Sequence, residues 1–220
     1  MADKTKNSSV IRLAECAVML ALSIVLSFIA IVKMPMGGEV TLLSMLPVML
    51  IGVKYGPATG LTTAFLYAVF QLVQGILAGN VFVYIESAVG IAVCAAFDYI
   101  VPFTLLGLAG IFRKRGKAGV VCGIALMIVL RFVCHYITGV YIWGQWAEEG
   151  MSKYLYSLLY NGQYMLPECI FTTVGAAILV NIPQIQKLLD LRFTSAAKDA
   201  PAAENAGHDG SDTDRTQKKD

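Results

Sequence analysis

Six side chains in this sequence could do chemistry in an apolar setting: Asp98, Arg131, His135, Trp143, Tyr156 and Asn161. Five of them fall within residues 131–161, RFVCHYITGVYIWGQWAEEGMSKYLYSLLYN. Arg131 and His135 stand four apart and so share one helical face. A cation, an imidazole, an indole, a phenol and an amide in one apolar stretch cannot all face lipid. They must face protein, water or a ligand. Asp98 is the costliest of the set, because a carboxylate at mid-bilayer costs about 2.5–3.5 kcal/mol on insertion scales. Arg131 is its candidate internal partner, and an Asp98–Arg131 ion pair clamping two helices is the plain structural alternative to a binding site. That pair would leave unexplained the crowd of aromatics nearby, among them Tyr99, Tyr160 and Tyr164. Trp146 and Tyr154 read as interfacial belt residues. A carboxylate beside an aromatic wall suits a flat, cationic heteroaromatic ligand, through charge, stacking and cation–π attraction. Asn161, Tyr156 and His135 would add directional hydrogen bonds.

The elements that must carry these residues are membrane helices. The chain is 57% hydrophobic and 15% charged, with a mean hydropathy of +0.66. A soluble domain is about 45–50% apolar and about 25% charged. The expected fold is all-α: a polytopic bundle of six transmembrane helices in one domain. Residues 1–10 form a polar N-terminal segment, residues 11–192 the membrane domain, and residues 193–220 a disordered tail without apolar periodicity. The first span covers residues 11–32, and no cleavable signal is expected before it. The second, residues 41–53, is short, reaching roughly 20 Å at 1.5 Å per residue, and needs shielding by its neighbours. The third covers residues 58–78, with Tyr67, Gln71 and Gln74 at helical spacing. The fourth runs over residues 87–111 and is kinked at Pro102. The fifth covers residues 119–143, and the sixth, interrupted by Pro167, lies within residues 152–186.

Six spans place both termini on one side. Lys4, Lys6, Arg12, Lys54, Arg113, Lys114, Arg115, Lys117, Lys187 and Arg192 fall on that side, and only Lys33 and Lys153 on the other. The positive-inside rule then makes both termini cytoplasmic and sets His135, Trp143, Tyr156 and Asn161 in the outer half.

Enzyme chemistry finds little support. The sequence has no GxSxG, no HExxH, no cluster of histidines for a metal and no GxxxxGK[ST] loop. No catalytic residue, no metal and no cofactor is expected, and energy for transport must come from partners or an ion gradient. Nothing suggests nucleic acid. The five cysteines lie in apolar runs without a CxxC and read as small buried residues. Ala14, Ala17 and Ala21 form a small-residue stripe, fit either for internal packing or for docking another membrane subunit.

These residues resemble the thiamine-specific substrate-capture subunit, or S component, of energy-coupling-factor vitamin transporters. The resemblance covers residues 13–188. Its most specific part is His135, Trp143 eight residues on, Tyr156 thirteen further and Asn161 five further. Asp98-Tyr99 looks like the family's Glu-Tyr motif with Asp in place of Glu, and Arg131 stands where the family can have Lys. Ala17 and Ala21 resemble its AxxxA docking motif, and Tyr67 falls where an aromatic can line the pocket. The resemblance implies capture of thiamine outside a bacterial plasma membrane. It also implies delivery through a transmembrane coupling protein and two ATPases, which alone use ATP. A proton-coupled secondary transporter using Asp98 and His135, an S component for another vitamin, and a purely structural subunit are the alternatives.

Overall fold

The computed structural model describes residues 2–79 and 82–189, with side chains from Ser8 onward. The expected disordered tail, residues 193–220, lies outside the described residues. The fold is all-α apart from one short hairpin. Helix α1 spans Ala2–Ser27. It takes in the N-terminal segment expected to be separate, and ends before the first span was expected to. The next residues pair instead as strands β1 (Ala30–Lys33) and β2 (Glu39–Thr41), antiparallel, with Val32 opposite Val40 and Lys33 opposite Glu39. The turn between them, read from sequence as a plain loop, carries Gly37 and Gly38 at positive φ.

Helix α2 (Leu46–Tyr55) is only ten residues long and is buried from Leu46 through Val53. Such a length is stable in an apolar medium only when other helices surround it, and here they do. Helix α3 (Pro57–Ala78) follows at once, with Pro57 in its first turn and Gly79 ending it in the left-handed region. The Ser87 hydroxyl caps α4 (Ala88–Cys94) by accepting the Gly90 N–H at 2.8 Å. The same helical path widens to a π turn over Ala95–Ile100, becomes α5 (Val101–Leu105) and tightens into 3-10 turns over Leu106–Arg115. Pro102 explains the widening: it has no N–H to give and its ring crowds the carbonyl four residues back, which belongs to Asp98. The expected kink is thus a bulge, and Asp98 sits in it.

Gly116, at φ 79°, reverses the chain into α6 (Gly116–Tyr141). A 3-10 turn, Trp143–Trp146, comes next, so Trp143 sits just past the helix rather than within it. Helix α7 (Lys153–Leu179) holds Pro167 without breaking, and α8 (Pro183–Leu188) closes the described chain.

The main core gathers Met45, just before α2, and Met49 and Val53 of α2 with Tyr67, Leu106, Ile124 and Ile128. Large apolar side chains cover much of the outside as well, for example Leu13 at 72% exposure and Leu77 at 81%. Three helical stretches among the described residues are long and apolar enough to cross a membrane: Ser8–Ser27, Pro57–Ala78 and the reversing path Ala88–Tyr141. Helix α7 has the length, at 27 residues, but carries a row of polar side chains on its inner face.

Candidate functional site

The bundle holds a cavity of about 190 Å³ at the hairpin end. Its floor and walls come from α3, the Asp98 bulge, α6, the Trp143 turn and α7, and the hairpin covers one side. Asp98, Tyr99, Arg131, His135, Trp143, Tyr156 and Asn161 all line it.

Asp98 is 7% exposed, accepts three hydrogen bonds and has an imidazole nitrogen beside it. His135 Nδ1 lies 3.2 Å from Oδ1, and the Thr138 hydroxyl donates to the same oxygen. The Trp143 indole N–H and the Cys94 thiol both donate to Oδ2 at 3.2 Å. The carboxylate thereby fixes the indole and the imidazole together. Cys94 is buried as the sequence led one to expect, though it works as a donor and not as apolar filler. Cys134 is buried too, while Cys122 is exposed.

Arg131 does not pair with Asp98. Among the described residues no carboxylate reaches it within ion-pair distance. Its guanidinium lies 4.4 Å over the Phe103 ring, and Nη1 rests 3.3 Å from Met45 Sδ. The clamp that would have made these charges purely structural is absent, because Asp98 is already surrounded by neutral donors on its own side of the cavity.

Helices α6 and α7 meet closely along this wall. A Cβ on Gly139 would fall 2.1 Å from Ser157 Oγ, so only glycine lets the two backbones approach. Ser157 donates to Tyr136 O at 2.8 Å, and Asn161 Nδ2 donates to His135 O at 3.2 Å and Ser157 O at 3.0 Å. Tyr164 donates to Asn161 Oδ1 at 2.8 Å. Asn161 therefore uses its polar atoms inside the protein and acts as a staple behind His135.

The aromatics divide into two groups. Tyr156 and Tyr160 stack, with ring centroids 5.7 Å apart, and Tyr160 holds the hairpin by accepting the Met36 N–H at 2.9 Å and donating to Gly37 O at 3.1 Å. Gly38 lies flat on the Tyr164 ring, where a Cβ would come within 2.7 Å. Trp146 and Tyr154 are exposed, as belt residues would be.

Tyr67 does not line the cavity. It is fully buried in the core, edge-on to Phe103 at 5.6 Å. Gln71, a turn further along α3, reaches the wall in its place, and so does Gln74. Ala14, Ala17 and Ala21 are all exposed, so they do not serve internal packing. Sequence reasoning missed one acidic wall residue. Glu168, 1% exposed, accepts the Thr41 N–H at 2.7 Å and the Thr41 hydroxyl at 2.8 Å. Its signal was present: Ser157, Asn161, Tyr164 and Glu168 recur at four, three and four residues, one face of a helix. Glu39 also reaches the wall, and faces Lys33 across the hairpin at 3.6 Å. Among the described residues no group of three His, Cys, Asp or Glu side chains could hold a metal.

The sequence matches the family described as thiamine transporter protein (Thia_YuaJ) over residues 13–187, a stretch that contains every residue of the cavity wall. The chain belongs to this family. It is 30% identical over 197 residues to the thiamine transporter ThiT of Bacillus subtilis, covering 83% of this chain and 97% of that one. The thiamine transporter ThiT of Lacticaseibacillus paracasei is 28% identical over 155 residues, covering 64% of this chain and 73% of that one. A solved structure of ThiT from Listeria monocytogenes shares the fold, with a TM-score of 0.61 at 23% identity over 81% of this chain and 98% of that one. Membership of a thiamine transporter family and the long apolar helices together support a membrane protein.

Proposed function

We propose that this chain is the thiamine-binding S component of an energy-coupling-factor importer. It captures thiamine from outside and passes it inward through a coupling protein and two ATPases. The observation that carries the reading is the Asp98 cluster: a buried carboxylate bonded to the edge of an indole, on the wall of a cavity lined by tyrosines, in a chain of the thiamine transporter family. In this reading the bundle crosses the membrane six times with both termini cytoplasmic, and the exposed Ala14, Ala17 and Ala21 face the coupling protein.

Each wall residue then has a role. Trp143 stacks on the aminopyrimidine ring, held in plane by its bond to Asp98. Asp98 supplies the negative charge that balances the thiazolium. Three protein hydrogen bonds and the nearby His135 Nδ1 already occupy its oxygens, so its effect on the ligand is electrostatic rather than directional. With the Nδ1 proton given to Asp98, His135 Nε2 carries a lone pair. That atom is buried without a partner and accepts from the ring amine. Tyr156, Tyr160 and Tyr99 close the apolar sides, and Asn161 holds the His135 backbone in place.

The test is tryptophan fluorescence of the purified protein titrated with thiamine, riboflavin and biotin. Thiamine alone should quench, and Trp143→Ala should abolish binding with the melting temperature kept. Absence of quenching by thiamine, or full affinity in Trp143→Ala, would sink the reading. The contact of His135 with Asp98 also favours a second reading, a proton relay in a secondary transporter. Uptake that persists without ATPase partners and stops with an uncoupler would select it.

A further inference from the structure

The cavity has a second carboxylate whose bonding is unlike that of Asp98. A carboxylate offers about four lone-pair positions. Asp98 takes three hydrogen bonds, from Thr138, Trp143 and Cys94, and has His135 Nδ1 3.2 Å from Oδ1. Glu168 fills two, both with Thr41, one on each oxygen. Two stay open on a side chain that is 1% exposed and lines the cavity.

Two other groups on the same wall are also incomplete. Arg131 Nε and Gln71 Oε1 are buried with no hydrogen-bond partner. Among the described residues no ion-pair contact joins Arg131 to Glu168, although both line the cavity. A charged acceptor and a charged donor, both open and both buried beside one cavity, call for a group that donates and accepts at once. A hydroxyl does this with a single oxygen. A ring amine cannot accept usefully from the guanidinium, and a carbonyl cannot donate to the carboxylate.

We infer that Glu168 and Arg131 form a hydroxyl-reading subsite: Glu168 accepts the proton of the ligand's hydroxyethyl arm and Arg131 Nε donates to its oxygen. The inference rests on the thiamine reading above and makes Glu168 a specificity residue. It also assigns the two ends of the ligand, with the amine at His135 and the hydroxyl at Glu168.

Glu168→Gln is the decisive variant because it can keep the hairpin in place. The amide oxygen can still accept the Thr41 N–H. The amide N–H can donate to Thr41 Oγ1, which in turn donates to Ser44 Oγ, 2.6 Å away. The experiment titrates wild type and Glu168→Gln in detergent with thiamine and with an analogue that carries ethyl in place of hydroxyethyl. Glu168→Gln should weaken thiamine binding by about 10- to 100-fold, the range of a hydrogen bond to a charged group, and the ethyl analogue by less than about threefold. Unchanged binding of both ligands overturns the inference, and so does an equal loss for both, which would mark a general charge effect. Should Glu168→Gln fail to fold, Arg131→Met gives the same reading from the donor side, since Met can pack on Phe103 and Met45 without an N–H. A loss confined to thiamine supports the subsite, and an equal loss for both ligands overturns it. Wild type that binds no thiamine would overturn the functional reading itself, and this subsite with it.

Discussion

Two ends of the same bundle solve opposite packing problems. At the end that carries Arg113, Lys114, Arg115 and Lys117, glycines bring backbones into contact. A Cβ on Gly52 or on Gly60 would lie 2.2 Å from the Gly107 carbonyl oxygen, and one on Gly110 would lie 2.4 Å from that of Gly52. Arg113 then spans the seam and donates to the Val53 and Lys54 carbonyls at 2.9 and 2.7 Å, the open acceptors at the end of α2. At the hairpin end α6 and α7 still meet closely at Gly139, but tyrosines, a tryptophan and charged side chains line a cavity between them and the other elements. The contrast separates what keeps the bundle folded from what gives it a ligand. Small residues give close, dry contact that needs no polar partners. Large polar side chains leave open atoms, and in a membrane open atoms are costly unless something fills them. Changes at one end should therefore affect stability and changes at the other should affect binding.

The largest effect expected on the binding side is from Asp98→Asn. The amide must place its NH2 toward one pair of former donors. Trp143 N–H cannot accept, so the NH2 turns to His135 and Thr138. His135 must then accept at Nδ1, and its proton moves to Nε2, which now meets the ligand amine as a donor. Charge and acceptor are lost together, and thiamine affinity should fall by more than about 100-fold, or roughly 3 kcal/mol. A calorimetric or fluorescence titration measures it. The melting temperature should change far less, since the amide keeps most contacts of the cluster. A tenfold loss or less would mean that Asp98 is chiefly structural.

On the packing side, Gly107→Ala should do the reverse. Its new Cβ would lie 2.3 Å from the Gly60 carbonyl carbon and 2.5 Å from Leu61 N, backbone atoms that cannot rotate away. Overpacking of this kind costs about 1–3 kcal/mol. The melting temperature in detergent should drop, while the fraction that stays folded binds thiamine with unchanged Kd. A weaker Kd in that fraction would mean that packing at the glycine end and binding at the hairpin end are coupled.

Much of this division was legible before any coordinates. Periodicity put Arg131 and His135 on one face, and the cost of a buried charge singled out Asp98. Both rest on local rules that tertiary structure left intact. The hairpin was not legible. Strands of four and three residues are too short to show alternation, and Pro35, Gly37 and Gly38 read as any loop would. The π turn escaped for a different reason. Pro102 announces a disturbance, but whether the helix answers by bending or by adding a residue depends on what packs around it. Glu168 was hidden by its neighbour, since Pro167 suggested a broken helix and drew attention from the polar face that runs through it.

Tyr67 shows where a periodic reading stops. It shares a face of α3 with Gln71, which lies on the cavity wall, so spacing alone allows both to line it. One helical turn is about 5.4 Å, and that step carries the ring from the wall into the core. There its hydroxyl is buried beside Ser44 and Ser27 without a well-formed hydrogen bond, and its ring lies edge-on to Phe103, the same ring that carries the Arg131 guanidinium on its face. Removing that hydroxyl forfeits at most weak contacts with Ser44 and Ser27 and relieves a buried, poorly satisfied group. Tyr67→Phe should therefore leave the melting temperature unchanged or raise it, by up to about 1 kcal/mol of stability. Thiamine Kd should stay within about twofold, because the ring still supports Phe103. A clear loss of affinity would place that hydroxyl in contact with the ligand after all, and would move the floor of the cavity one turn deeper along α3.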